Sequence, residues 1–150
     1  MPGETEAPAV TLRLDFDDTA ASQPLFYADQ EPEFQKLEAL APARLRRFFQ
    51  SPDPQKPLSM GRKLNMLVQM NTPFPPYALR SGQQGRVYAY FEVAENGAIE
   101  QARIAGTAGR ALDAAVLKSV KGIPAATSPA LVQGKPVRVY YVVPATFRML

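Results

Sequence analysis

The clearest feature of the chain is an alternation of apolar and polar residues, which is the pattern of strands that bury one face. It runs over residues 10–16 and again over 87–93. Asn96-Gly97 follows the second run and is a pair typical of type I′ hairpin turns. A returning strand is therefore predicted over 98–105, paired with its predecessor in a hairpin.

Two irregularities add detail to this strand pattern. Ile99 and Ile104 differ in parity, so strict alternation places them on opposite faces unless a β-bulge lies between them. A last strand is predicted with its body over 137–143, apolar on both faces, and Pro144 follows it. Because proline has no N–H for a ladder hydrogen bond, Pro144 predicts either a bulge or a sheet edge. An exposed backbone edge is thus one expectation for this last strand.

Apolar residues recur at helical spacing in the first half of the chain. They predict a helix over 32–49, which Pro42 should kink or divide because its ring removes one backbone hydrogen bond. A proline-rich connector is expected over 51–57, and a weaker helical pattern covers 58–70. Residues 25–27 fit a short extended piece.

Two more helices are predicted in the second half. A short helical turn is expected over 76–81, closed by Gly82, a residue suited to the left-handed conformation after a helix. A longer helix is expected over 110–121, because an acidic residue lies near its start, lysines lie near its end, and Gly122 and Pro124 follow.

The whole chain is expected to form one compact domain with extended connections, since its length is 150 residues and 46% of them are hydrophobic. Residues 1–9 are predicted to be a mobile tail. Residues 10–57 are predicted to be an N-terminal extension with one strand and one or two helices. Residues 58–150 are predicted to form the main α+β domain, in which 128–134 is a loop.

The composition argues against catalysis. The absence of cysteine excludes a thiolate nucleophile and Cys-based zinc sites, and the absence of histidine removes the commonest general base and metal ligand. No enzyme activity, cofactor or metal site is therefore expected. The net charge of +3 is too small for a nucleic-acid footprint. The densest basic cluster, Arg44, Arg46 and Arg47, is interpreted as the solvated face of a helix.

The chain has no sequence signal for membrane insertion. No apolar run approaches the roughly 18 residues needed to cross a bilayer. The first residues also lack the charged-then-apolar pattern of a signal peptide. These patterns fit either a cytosolic protein or the soluble part of a longer one.

A set of short motifs covers about residues 72–149 in a fixed order. The set consists of Phe74-Pro75-x-x-Ala78-x-x-x-Gly82-x-x-Gly85-x-Val87, then Asn96-Gly97, then Ala111-Leu112-Asp113-x-Ala115-Val116-Leu117, then Ser128-Pro129-Ala130-x-x-x-Gly134-x-Pro136-Val137. Each motif alone is weak, but in this order and spacing they resemble the C-terminal domain of TonB, the energy transducer of Gram-negative envelopes. Upstream, Gln30-Glu31-Pro32-Glu33-Phe34 is similar to an approach segment of some family members.

The resemblance implies a three-stranded antiparallel sheet with two helices on one face, in a periplasmic domain that the full-length protein tethers to the inner membrane. The implied partner is the TonB box, a short segment of outer-membrane transporters such as those for siderophores, which pairs as an added strand beside the last strand. Force from an inner-membrane motor, the ExbB and ExbD complex, would then act on the transporter. The implied partner-binding residues are Phe74, Pro75, Val137, Arg138, Val139, Tyr140, Tyr141, Val142 and Val143.

Two positions depart from the family pattern. Phe74 stands where the family often has tyrosine, and Thr127 stands where an aromatic residue is common, so partner choice can differ. A second hypothesis is a structural adaptor or self-associating module of the same fold. In that case the edge is filled by the chain's own N-terminal strand, or by a second copy in a homodimer.

Overall fold

The computed structural model describes residues 24–35 and 37–149 of the chain. The strand predicted over 10–16 and the tail predicted over 1–9 lie outside these ranges. A search of the helices within them finds none with the length and apolar character that a bilayer crossing requires. In chain order the elements are two 3₁₀ helices (Leu37–Leu40 and Ala43–Phe49), α1 (Met60–Asn71), α2 (Pro76–Arg80), β1 (Gly85–Val93), β2 (Ile99–Gly106), α3 (Arg110–Lys121), β3 (Ala130–Val132), β4 (Lys135–Val137) and β5 (Val139–Phe147).

A three-stranded antiparallel sheet in the order β2-β1-β5 forms the centre of the fold, and β3 and β4 form a separate hairpin. α1 packs on β5, α3 packs on β1 and β2, and the two helices contact each other. Both therefore cover the same face, and the predicted α+β fold is confirmed. The fully buried apolar residues of this layer include Leu64, Val87, Ala89, Phe91, Val93, Leu112, Val116, Val120, Val143 and Ala145.

The predicted helices 58–70, 76–81 and 110–121 are confirmed as α1, α2 and α3. Each has a local reason to begin where it does. The hydroxyl of Ser59 accepts a hydrogen bond from the N–H of Arg62 at 3.2 Å and caps α1. The carboxylate of Glu31 accepts a second one, from the N–H of Met60 at 2.7 Å. The start of α1 is thus tied to the segment that precedes it.

The helix predicted over 32–49 is wrong in type and extent. The backbone of Glu33 pairs instead with the loop after α3, since its N–H donates to Ser128 at 3.0 Å and its C=O accepts from Thr127 at 2.7 Å. The helical part begins only at Leu37 and is of the 3₁₀ type, divided in two at Pro42. A 3₁₀ helix has three residues per turn, which changes the buried positions from those of an α-helix. The buried side chains here include Phe34, Leu37, Ala41 and Phe49.

These four side chains belong to the same buried cluster as the residues under the sheet. Residues 24–49 therefore pack directly on the sheet-and-helix unit. The domain boundary predicted at residue 57 stays a prediction.

Of the two alternatives left open for Ile99 and Ile104, the structure shows the bulge. The pairing of β1 with β2 shifts between Tyr90 and Glu92, and Gln101 has a positive φ of 57°. A residue in this conformation adds an extra position to one strand, which returns the two isoleucines to a common register.

The Asn96-Gly97 pair predicted a type I′ turn between β1 and β2, and this prediction is wrong. Type I′ requires positive φ at both central residues, but of the pair only Gly97 has one, at 90°. The N–H of Gly97 donates to Ala94 at 2.8 Å and closes a three-residue loop. Two central residues with positive φ occur instead at Gln133 (52°) and Gly134 (77°), between β3 and β4, where a loop was predicted over 128–134.

Candidate functional site

The outer edge of β5 is the candidate site, because among the strands that the structure describes β5 is the last of the sheet and has a strand partner, β1, on one side only. Backbone groups along a strand point alternately to its two sides. The N–H of Tyr140 donates to the C=O of Leu25 at 3.1 Å, and the C=O of Arg138 accepts from the N–H of Leu25 at 2.8 Å. Even-numbered residues of this stretch therefore point away from β1, and odd-numbered residues pair with it.

Pro144 is one of the outward-pointing residues. It lies opposite Tyr88 in a β1–β5 register that continues without a shift from Gly85 to Phe147. Its missing N–H would have pointed away from β1, so the ladder loses no hydrogen bond there. Of the two alternatives that Pro144 predicted, the register shows no bulge in β5, and β5 is an edge strand of the sheet formed by the described residues.

Gln69 of α1 covers the far end of the same edge. Its side-chain oxygen accepts from the N–H of Thr146 at 2.8 Å, and its amide nitrogen donates to the C=O of Thr146 at 3.0 Å. A residue of a neighbouring strand would make the same two bonds. The outer edge is thus occupied at both ends, by Leu25 at one and by Gln69 at the other.

Four outward backbone groups lie between these two ends, and we call them the edge window. They are the C=O of Tyr140, the N–H and C=O of Val142, and the C=O of Pro144. Among residues 24–35 and 37–149, none of the four has a hydrogen-bond partner. The window therefore offers three acceptors and one donor to an incoming strand.

Aromatic side chains cover the helix-free face beside the window. The ring of Tyr140 stacks on that of Tyr90 with centroids 5.6 Å apart, and the centre of the Phe26 ring lies 6.0 Å from that of Tyr140. The guanidinium of Arg103 lies 4.7 Å from the centre of the Tyr90 ring. Burial, together with the hydrogen bond from its hydroxyl to Glu92, raises the pKa of Tyr90. This hydroxyl consequently stays a donor at any physiological pH.

Arg138 anchors the start of the edge through a network of acidic side chains. Its guanidinium contacts the carboxylates of Glu92 at 2.8 Å, Glu100 at 2.9 Å and Glu95 at 3.4 Å. Glu92 also accepts the Tyr90 hydroxyl, and its side chain is 6% exposed, against 42% for Glu100. The network fixes Arg138 to β1 and β2 and leaves its backbone C=O on the edge.

We expect Glu92→Gln to lower the free energy of unfolding by about 1–3 kcal/mol, because a buried charged partner of Arg138 is lost. Glu100→Gln is the matched control, since it removes a contact of similar length at an exposed site and should cost at most about 1 kcal/mol. Urea unfolding of both variants measures the difference. Equal losses would contradict the importance assigned to burial.

The predicted partner-binding residues 137–143 do not all lie in one strand. Most belong to β5 or directly precede it, and one belongs to β4. Val139, Tyr141 and Val143 point to the helices, where the Tyr141 ring lies 5.7 Å from Phe91, and burial raises the pKa of Tyr141. Arg138, Tyr140 and Val142 carry the outward backbone groups. Val137 belongs to β4, where it pairs with Ala130.

Phe74 and Pro75 do not contribute backbone to the edge window. The Phe74 ring packs edge-on against Phe147, at the opposite end of β5 from Arg138, with centroids 5.5 Å apart. Both residues line a groove of about 620 Å³ between α1 and α3, together with Leu67, Asn71 and Lys118. Their assignment to partner binding stays a prediction.

Two residues that shape the edge escaped the sequence prediction. Leu25 lies in a stretch whose extended form was predicted, but nothing local indicates that it pairs with a strand more than 100 residues later. Gln69 is a single polar residue in a helical pattern, and its partner Thr146 can be identified only in three dimensions.

A small α+β domain whose last strand has a stretch of backbone without partners in 24–35 and 37–149 has the architecture of modules that accept an added strand. The family model of the Gram-negative bacterial TonB protein C-terminal matches residues 70–149, which is more than half of the chain. The chain therefore belongs to this family, and the resemblance stated from its motifs is confirmed. TonB C-terminal domains are non-enzymatic periplasmic domains of an energy transducer.

Two solved structures of the Helicobacter pylori TonB C-terminal domain, both determined by NMR, are similar to the chain. The one of residues 179–285 has a TM-score of 0.48 and 19% sequence identity, over 59% of this chain and 79% of that chain. The one of residues 194–285 has a TM-score of 0.44 and 16% identity, over 61% and 95% of the two chains. Comparison with curated proteins found no match.

Proposed function

We propose that this domain binds the TonB box of an outer-membrane transporter as an added strand along the edge window of β5. The observation that carries the proposal is the run of outward backbone groups from Tyr140 to Pro144 without partners among the described residues. Such edges are ready templates for another chain. In the full-length protein, an inner-membrane tether and the ExbB and ExbD complex would supply the force that the bound strand transmits.

The window supports binding of moderate strength with selectivity from the side chains. Each net backbone hydrogen bond contributes about 0.5–1.5 kcal/mol. An added strand also lies beside Tyr140 and Val142 on one face and Tyr141 and Val143 on the other, all of which are at most partly exposed. We propose that these apolar neighbours favour a partner segment with apolar residues on both faces.

The test is Val142→Pro, which removes the only outward N–H of the window. The β1–β5 pairing should persist, because that N–H points away from β1 and Pro144 already occupies an equivalent position. Loss of this donor leaves a partner carbonyl unpaired, which costs about 1–3 kcal/mol and should weaken binding of a TonB-box peptide about tenfold or more. Titration calorimetry measures the affinity.

Val142→Ala is the matched control, since it trims the same side chain but keeps the N–H. It should change the affinity much less than the proline variant does. Amide chemical shifts along 137–143 should move on titration of the unsubstituted protein. Equal affinities of the proline and alanine variants, or no shift along this strand, would reject strand addition at the window.

The Leu25 bridge favours a second candidate, an adaptor or self-associating module. Part of the β5 edge is already paired with the protein's own chain, and a second copy could pair with the remaining window. Sedimentation of the protein at increasing concentration distinguishes the two. A dimer that Val142→Pro dissociates would favour self-association over peptide capture.

A further inference from the structure

We propose that residues 24–27 are an internal competitor of the incoming strand, so that the chain itself limits access to β5. We call this segment the edge cap. The inference rests on the proposed function, because it concerns the regulation of the same site. The geometry of Leu25, the contact of Phe26 and the way the segment is attached carry it.

Leu25 makes the contacts that a partner residue would make. Its N–H donates to Arg138 and its C=O accepts from Tyr140, which are the two bonds of one residue in a parallel strand opposite Val139. In a continued parallel strand, residue 27 would bond the C=O of Tyr140 and the N–H of Val142. The chain bends at residue 26, and these two groups stay unpaired among the described residues. The edge cap thus ends where the window begins.

Phe26 adds a side-chain contact of the same kind. Its ring lies 6.0 Å from that of Tyr140, yet 82% of the residue is exposed. An incoming strand that extends over Tyr140 needs the space that this ring occupies. The edge cap therefore competes with the partner for the C=O of Arg138, the N–H of Tyr140 and the surface of the Tyr140 ring.

The edge cap is attached weakly enough to be displaced. Its main-chain contact with β5 is a single bridge. The next fixed points are the carboxylate of Asp29, which accepts from the N–H of Gln133 at 2.8 Å, and the pair of hydrogen bonds between Gln30 and Leu131, at 3.1 and 2.9 Å. Residues 26–28 connect the Leu25 bridge to Asp29, and Ala28 is partly buried against the core. Release of Leu25 therefore leaves the pairing of Gln30 with β3, and that of Glu33 with the loop after α3, in place.

When a competitor occupies the edge for most of the time, the partner can bind only to the molecules whose edge is free. The apparent affinity for the partner is then the intrinsic affinity multiplied by the fraction of such molecules. The two backbone hydrogen bonds of Leu25 would keep the edge occupied in about nine molecules of ten, which lowers the partner's apparent affinity about tenfold. Partners long enough to reach Arg138 experience this reduction. Removal of the edge cap should raise their affinity by the same factor.

The experiment compares the full chain with Leu25→Pro and Tyr27→Pro. Leu25→Pro removes the N–H that donates to Arg138, whereas Tyr27→Pro places the same residue two positions later, where no described hydrogen bond is lost. Hydrogen exchange of the Tyr140 amide without peptide should be about tenfold faster in Leu25→Pro and unchanged in Tyr27→Pro. The affinity for a TonB-box peptide should rise about three- to tenfold in Leu25→Pro alone.

A measurement on the unsubstituted protein checks the same idea without relying on a variant. The Leu25 amide should exchange slowly in the free protein and faster when the peptide is saturating, because the partner displaces it. Continued protection of Leu25 in the complex would overturn the competition.

The remaining outcomes separate the two proposals. Faster exchange of Tyr140 in Leu25→Pro with unchanged or weaker peptide binding overturns the competition and leaves strand addition standing. Unchanged exchange of Tyr140 in that variant also overturns it, since Leu25 then does not protect the edge. Absence of peptide binding in every form overturns strand addition itself, and the competition with it.

Discussion

Phe91→Ala is expected to lower the free energy of unfolding by about 3–5 kcal/mol. Phe91 is fully buried on β1, the central strand, and its ring packs 5.7 Å from that of Tyr141 on β5. Truncation removes the apolar contact and leaves a cavity between the sheet and the helices. Thermal or urea unfolding followed by circular dichroism measures the loss.

Phe26→Ala is the control for this truncation, because it deletes the same atoms from a residue that is 82% exposed. It should change the stability by less than about 0.5 kcal/mol. A comparable loss in the two variants would contradict the location of the core under β1.

Gly97→Ala is expected to destabilise the protein by about 2–4 kcal/mol, from two separate causes. Gly97 has a φ of 90°, which is unfavourable for residues with a Cβ. A Cβ at this position would also lie 2.4 Å from the carbonyl oxygen of Ala126, whose own N–H donates to Gly97 at 2.8 Å. The loop after α3 would have to move away from the β1–β2 turn.

Gly134→Ala separates these two causes. Gly134 also has a positive φ, of 77°, but an added Cβ would contact nothing within 4 Å. Its substitution should therefore cost only about 1–2 kcal/mol. The difference between the two alanine variants, measured by urea unfolding, gives the contribution of the contact with Ala126. Equal losses would mean that this close approach is relieved without effect on stability.

Elements with strong local signals could be predicted from the sequence. The lysines and Gly122 at the end of α3 mark its boundary, and the alternation around Phe91 marks β1, because both signals arise from neighbours in the chain. The parity of Ile99 and Ile104 left a bulge in β2 as one of two alternatives, and the structure decides between them. Pro144 pointed correctly to an edge, since its missing N–H must face away from a partner strand.

Features that depend on distant contacts could not be predicted in this way. The backbone of Glu33 pairs with residues 127 and 128, which prevents the α-helix that the apolar spacing favoured. Gly97 is held by Ala126, and the turn therefore takes a conformation other than the one its Asn-Gly pair favours. The ends of the edge window are set by Leu25 and Gln69, both far from β5 in sequence. The window's place was thus predictable, but its length was not.

The packing of α1 on β5, and of the two 3₁₀ helices on α1, has a practical consequence for the choice of fragments of this protein. The region matched by the family begins at residue 70, yet Leu64 and Leu67 are buried and lie in the part of α1 before it. A fragment that begins at residue 70 would lack most of α1 and would expose the apolar face of β5 to water. Exposed apolar strands of this kind promote aggregation. Expression libraries built on this domain should therefore keep the chain from at least Pro24 onward, which also preserves the segment that shields β5.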